Sequence, residues 1–314
     1  MRIAIVLVAL LLLGGCAAGE AAEGGAGDGP AVVATHSILG DLVRNVAGEE
    51  VTLTTIMPIG ADPHEFEASA QQIEAIGGAD LLVANGLGFE EQLLEPIAAA
   101  GADGVAVLEL GDALDPIPYA GEEHAQEGAE DDQGDATGSD DRHWFQDPDR
   151  AATATRLIGA RLAEVTGDQS HVVRAEAYAA QLEELAAEVE DLLGAVPESG
   201  RKLVTNHDAF GYFADRFGFE VVGTVIPGGA DLAEPSAGEL EELAATIADE
   251  GVPAIFAESI QSADLAETLA AEVGDQVEVV ELYSDSVGDE GSEAATYVDL
   301  VRANAGRIAG ALAP

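Results

Sequence analysis

From Ala31 onward, short apolar runs alternate with stretches in which apolar residues recur every three or four positions. Residues 31–35 (AVVAT) read as a buried strand. SILGDLVRNVAG follows, with Ile38, Leu39, Leu42, Val43 and Val46 on one helical face and Gly48 as its stop. Residues 51–57 (VTLTTIM) are β-rich and lead into a loop. SAQQIEAIGG predicts a helix from a Ser69 cap, 80–85 (DLLVAN) a strand, 89–100 a helix and GVAVLEL a short strand. Strands alternating with helices predict a parallel sheet covered on both faces.

Residues 111–142 break this rhythm. They are acidic, rich in Gly and Asp and nearly free of large apolar groups, which reads as a long loop. Helical character resumes near Asp147 and runs to Val165. A long helix over about 168–195 comes next, with Tyr178, Leu182, Leu185, Val189 and Leu192 in one stripe. A second series follows: strands at 202–205, 219–225, 253–258 and 277–282, and helices at 208–218, 236–250, 261–273 and 294–312. The predicted fold class is α/β: two lobes with mainly parallel sheets, joined by one long helix. The expected division is an N-terminal lobe at 31–167, a linker helix at 168–196 and a C-terminal lobe at 197–314. No sequence repeat relates the lobes.

The N-terminus adds an address. Arg2 precedes an apolar run from Ile3 to Leu13, which is too short for a bilayer span of roughly twenty residues and fits a secretory signal. Leu13-Gly14-Gly15 before Cys16 resembles a bacterial lipoprotein processing site, so 1–15 is expected to be a signal peptide and Cys16 the lipidated residue. Cys16 is the only cysteine, which leaves no intramolecular disulfide. Residues 16–30 are Gly/Ala-rich, as in a flexible tether. The expected location is extracytoplasmic, anchored by lipid to the outer face of the cell membrane. The formal charge is −48, and loss of Arg2 with the signal leaves −49. That surface repels nucleic acid and anionic membrane and favours cations. A salt-adapted proteome produces the same balance, so charge alone names no ligand.

The candidate chemistry lies in histidines beside predicted strands. His64 sits in the loop after 51–57, His143 ends the acidic loop and His207 directly follows strand 202–205. Asp285 comes just after strand 277–282. In doubly wound sheets ligands bind beyond the carboxyl ends of strands, so an inter-lobe cleft is the expected place for all four. Spacing alone does not make them converge. If they do, three imidazoles and one carboxylate complete a tetrahedral zinc shell. A catalytic zinc keeps a position open for water, so four protein donors point to carriage and not to an enzyme. Protonation of the imidazoles is expected to oppose binding as pH falls through about 6–6.5.

The segments MPIGADPHEFE, DDRHWFQDP, VTNHDAFGYFADRFG and LYSDSVG occur in an order that resembles the TroA-like (cluster A-I) metal-binding lipoproteins of bacterial ABC importers, over residues 31–314. The resemblance implies metal ligands at His64, His143, His207 and Asp285, a divalent metal ion as cargo, an ABC transporter permease as partner, and a monomer. A histidine at position 207, where manganese-type members tend to have glutamate, tilts the implied ion to Zn²⁺, with Mn²⁺ or iron on the same scaffold as the alternative. Two features depart from the family pattern. Arg142 stands where proline usually precedes the second histidine, and the loop at 115–141 is acidic, with only His124 where zinc-type members are often histidine-rich.

Other residues weigh less. His36, after the first strand, and Glu258, after the strand at 253–257, are candidate auxiliary residues, Glu258 by orienting an imidazole. His171, near the start of the long helix, is expected on the surface. Glu65 beside His64 invites comparison with a secreted zinc hydrolase, but no helical H-E-x-x-H is present. A surface adhesin using the lobes only as scaffold is the remaining alternative.

Overall fold

The computed structural model describes residues 29–119, 140–226, 235–274 and 276–314. The expected signal segment, Cys16, nearly all of the tether and most of the acidic loop, His124 included, lie outside the described residues. Among the described residues, β1 (Ala31–Ala34), β2 (Thr52–Thr55), β3 (Leu81–Ala84) and β4 (Ala106–Glu109) form one sheet in the order β2-β1-β3-β4. The second sheet contains β5 (Lys202–Thr205), β6 (Glu220–Thr224), β7 (Ala254–Glu258) and β8 (Glu278–Leu282) in the order β6-β5-β7-β8. Every pairing is parallel. Both lobes thus repeat one strand order, and each sheet reverses its winding beside its first strand, at the crevice where doubly wound sheets bind ligands.

The connecting helices are α1 (Ser37–Ala47), α2 (Ala70–Gly77), α3 (Leu94–Asp103), α4 (Pro148–Thr166), α5 (Ser170–Leu193), α6 (Gly211–Phe217), α7 (Ala237–Glu250), α8 (Asp264–Val273) and α9 (Tyr297–Leu312). Local chemistry sets their ends. Ser69 and Ser236 each form a reciprocal capping box, with Gln72 and Glu239 respectively. Asp147 caps α4 ahead of Pro148, and Gly167 ends it in the left-handed conformation.

Three expectations shift for physical reasons. α3 starts at Leu94 and not at 89, which puts Pro96 in the first turn, where its missing N–H costs nothing; a start at 89 would have put it in the helix interior. The α5 stripe ends on buried Leu193, four residues beyond Val189, while Leu192 is exposed. α6 begins at Gly211 and not at 208, because 206–210 form the turn that carries His207 and the Thr205 hydroxyl donates to the His207 carbonyl at 2.7 Å.

The lobes share a core. One apolar cluster contains Ile38 and Leu42 of α1, Trp144, Leu182 and Leu185 of α5, Phe213 of α6 and Leu300 of α9. Smaller clusters sit under the outer helices of each sheet, around Leu82 and Ile97 in one and Ile255 and Leu269 in the other. Buried polar links join the lobes as well. Asp41 Oδ2 of α1 accepts from the Tyr297 N–H at 3.0 Å and from the Tyr178 hydroxyl at 3.5 Å. The Tyr297 hydroxyl donates to the Phe145 carbonyl at 2.6 Å, and Gln146 Nε2 to the Ser284 carbonyl at 3.0 Å. Among the described residues, no helix is long and apolar enough to cross a membrane.

Candidate metal centre

His64, His143, His207 and Asp285 come together in the buried space between the two sheets, each offering a donor atom within 4.8 Å of the others. Two come from each lobe. His207 lies beyond β5 and Asp285 beyond β8. His64 lies midway along the loop between β2 and α2, and His143 precedes α4. The inward atoms are the Nε2 nitrogens. Those of His143 and His207 are 3.4 Å apart, and His207 Nε2 is 3.5 Å from Asp285 Oδ2. His64 Nε2 and His143 Nε2 each lie 3.8 Å from an Asp285 oxygen. A tetrahedral zinc shell with 2.0–2.1 Å bonds has donor–donor edges of about 3.3–3.4 Å. These four spacings run from near that edge to about 0.4–0.5 Å longer, and all donors lie within 4.8 Å of one another, so one small cation can gather them.

A carboxylate holds each histidine by its backbone. Asp62 Oδ1 accepts from the His64 N–H at 2.9 Å, Asp141 Oδ1 from the His143 N–H at 2.8 Å and Glu258 Oε1 from the His207 N–H at 3.0 Å. At His143 and His207 the same oxygen also meets ring Nδ1, at 2.7 Å in each case. An Nδ1–H donated outward leaves the Nε2 lone pair facing the centre. His64 differs: its Nδ1 faces Arg142 Nη1 at 3.4 Å, with Glu91 Oε1 at 3.9 Å. The Arg142 guanidinium is itself fixed by Glu91 at 2.9 Å, the Tyr119 hydroxyl at 2.7 Å and the Gly88 carbonyl at 3.2 Å. Its backbone carbonyl accepts from Asn85 Nδ2 at 2.9 Å, so the loop at His143 is held without the family's proline. Gly211 allows the start of α6 to press on Asp141, whose Oδ2 leaves no room for a Cβ there.

Burial dominates the electrostatics. It pushes His64 and His143 well below the usual imidazole range, aided in each case by the His207 and Arg142 charges. Burial raises Asp141 to about 7 against the hydrogen bond from the His143 N–H. Burial also raises Glu258, but the charge and hydrogen bonds of His207 outweigh it and hold the carboxyl below its ordinary value. Proton competition at His64 and His143 is thereby moved to lower pH than the 6–6.5 of a free imidazole.

The remaining candidates fall outside the donor set. His36 is buried one phenylalanine layer away, with its ring 4.8 Å from that of Phe89, which lies 5.5 Å from the His64 ring. Glu65 is exposed and has no place as a base at the centre. His171 is not on the surface: it is 1 % exposed, under the C-terminal end of α1. It groups with Glu50 and Asp168, but these atoms serve the helix junction. Asp168 accepts from the Ser170 N–H and hydroxyl at 2.8 and 2.5 Å, and Arg174 joins His171 Nδ1 at 2.8 Å to the Val46 carbonyl at 2.7 Å. The sequence reading missed Asp141, which has a simple signal: Asp-x-His occurs at both 62–64 and 141–143.

Two α/β lobes of parallel sheet closing over a buried donor set define the class of two-lobed metal-binding proteins that serve ABC transporters as substrate-binding components. The chain belongs to the family described as zinc-uptake complex component A, periplasmic (ZnuA), whose model matches residues 32–311. It is 34% identical to the zinc-binding protein TroA of Treponema pallidum over 99% of this chain and 98% of that protein. It is 30% identical to the manganese-binding lipoprotein MntA of Halalkalibacterium halodurans over 96% of this chain and 94% of that one. The structure titled periplasmic zinc binding protein TroA from Treponema pallidum superposes with a TM-score of 0.80 at 33% identity, covering 91% of this chain and all of that one. Relatives named for zinc and for manganese are similarly near, so kinship does not select the ion.

Proposed function

We propose that this protein is a lipid-anchored extracytoplasmic carrier that binds one Zn²⁺ through His64, His143, His207 and Asp285 and delivers it to an ABC permease. The observation that carries the reading is the donor set itself: three inward Nε2 atoms and one carboxylate, all within 4.8 Å of one another, with His143–His207 at 3.4 Å and each nitrogen 3.5–3.8 Å from an Asp285 oxygen. Three imidazoles suit zinc better than manganese, which prefers oxygen donors. With a divalent ion, one carboxylate leaves about +1 in the shell, and the carboxylates of Asp141 and Glu258 stand directly behind two of the rings. A closed four-donor shell leaves no position for an activated water, which supports carriage over hydrolysis. The names of the zinc- and manganese-binding relatives support a metal cargo and, for MntA, lipid attachment. Manganese on the same donors is the second reading, favoured by the MntA likeness.

The domain reading is part of the proposal: lobes at 31–167 and 197–314 joined through the helix at 168–196. The shared core and the Asp41, Tyr297 and Gln146 links favour release by small local shifts over wide opening. The test is metal content and Zn²⁺/Mn²⁺ competition on the full chain, wild type against His207→Ala. One zinc per chain, held in preference to manganese and lost or weakened at least about a hundredfold in the variant, is expected. Unchanged zinc binding in His207→Ala would refute the four-donor assignment.

A further inference from the structure

We infer that Arg142 holds His64 in the tautomer that cannot bind metal, which makes His64 the weak and releasable member of the donor set. The inference rests on the proposed four-donor site and assigns one residue control over its affinity. Arginine only donates hydrogen bonds. The 3.4 Å contact of Arg142 Nη1 with His64 Nδ1 is therefore a hydrogen bond only when Nδ1 offers its lone pair. The ring proton then sits on Nε2, the atom that faces Asp285 at 3.8 Å and is needed by the metal. His143 and His207 have the opposite arrangement, with a carboxylate oxygen 2.7 Å from Nδ1.

Metal entry at His64 requires a tautomer exchange. The Nε2–H bond breaks and its proton leaves to solvent; a proton from solvent forms the Nδ1–H bond, with no net change. The new Nδ1–H then needs an acceptor, and Glu91 Oε1, 3.9 Å away, is a carboxylate within reach. Glu91 Oε1 is already paired with Arg142 Nη1 at 2.9 Å. Loading thus exchanges one pair for another at Glu91, and the bonds of Arg142 to Tyr119, Gly88 and the Asn85-held backbone restrain that exchange. The guanidinium also sits about 7–8 Å from the point the donors surround, on ordinary ring and bond dimensions, where its charge opposes a dication. Arg142 is a positioning residue that trades affinity for release.

The experiment has two parts, both on the full chain. Long-range ¹H–¹⁵N correlation spectra of the metal-free wild type report which His64 nitrogen carries the proton. Chelator competition with Zn²⁺ as the only added metal, and stopped-flow release into chelator, compare wild type with R142Q and R142K. We expect the Nε2–H form of His64 in the wild type. R142Q should bind Zn²⁺ at least about tenfold more tightly and release it correspondingly more slowly, whereas R142K, which keeps the charge, should stay within about threefold of wild type. An Nδ1–H form in the metal-free wild type overturns the inference whatever the variants do. Equal affinity of wild type and R142Q, or weakening in both variants as a purely structural role would give, overturns it and leaves the four-donor site standing. No stoichiometric zinc in any of the three proteins removes the site and the inference together.

Discussion

His36 offers a measurement of what burying an imidazole costs this fold. It is fully buried against Phe89 and Phe145, and among the described residues only the Asn85 side chain offers its ring a weak polar contact. Burial lowers its pKa from 6.5 to about 3, only partly offset by the Asn85 side chain. The folded protein therefore keeps His36 neutral, while the unfolded chain protonates it below pH 6.5. The unfolded state binds more protons between the two values, so stability falls as pH falls through that window. A full pH unit inside that window contributes about 1.4 kcal/mol, so about 2.7 kcal/mol is lost between pH 7.5 and 4.5 through this one residue. His36→Asn removes that linkage. Urea unfolding at pH 7.5, 6.5, 5.5 and 4.5, with chelator present, reads it as a difference in slope. The packing lost against the two phenylalanines is independent of pH and cancels. The variant should lose about 2.7 kcal/mol less than wild type between pH 7.5 and 4.5, and its Zn²⁺ affinity should stay within about threefold. Parallel profiles would refute the reasoning and mean that His36 is protonated or solvated in the native protein.

Two further outcomes concern the donor set. Glu258→Gln replaces the carboxylate that holds both the His207 N–H and Nδ1, and should weaken Zn²⁺ binding about 10–100-fold with one zinc per chain retained, measured by chelator competition. The pH dependence of that binding reports protons displaced. Three free imidazoles would give a slope in log affinity approaching three below pH 6.5, whereas His64 and His143, held neutral by burial, contribute none. Asp141, protonated below about 7 in the metal-free centre and stripped on loading, contributes up to one as pH falls below 7. A slope well below three between pH 7 and 5 is expected, and a slope of three over that range would show that the rings are solvated before metal enters.

The alternation of apolar runs and amphipathic stretches was enough to read two α/β lobes and most element positions, because buried parallel strands and one-sided helices leave strong periodic marks. Where the reading slipped, an interaction between residues distant in the chain had overridden a local pattern. Leu192 continued the three-and-four spacing of the α5 stripe, but tertiary packing buries Leu193 instead. His171 was expected on the surface from its place near the start of the long helix, yet it is covered by the end of α1, 125 residues upstream through Val46. The common strand order of the two sheets left no mark, since it depends on which strands pair and not on their composition.

The four candidate donors stood out because each lies in a short motif in a loop that follows a strand or precedes a helix, and the fold brings those four side chains within 4.8 Å. Their supporting groups were harder to read. Asp62 and Asp141 are local, two residues before their histidines, and the repeated Asp-x-His spacing was visible to anyone counting. Glu258 is 51 residues from His207, but it ends the neighbouring strand of a parallel sheet, so topology places it once β5 and β7 are paired. The Arg142–His64 contact follows from neither rule. It spans 78 residues and joins two loops, and the only trace in the sequence is an arginine where a proline was expected. At this position the partner within reach is an imidazole of the proposed metal centre.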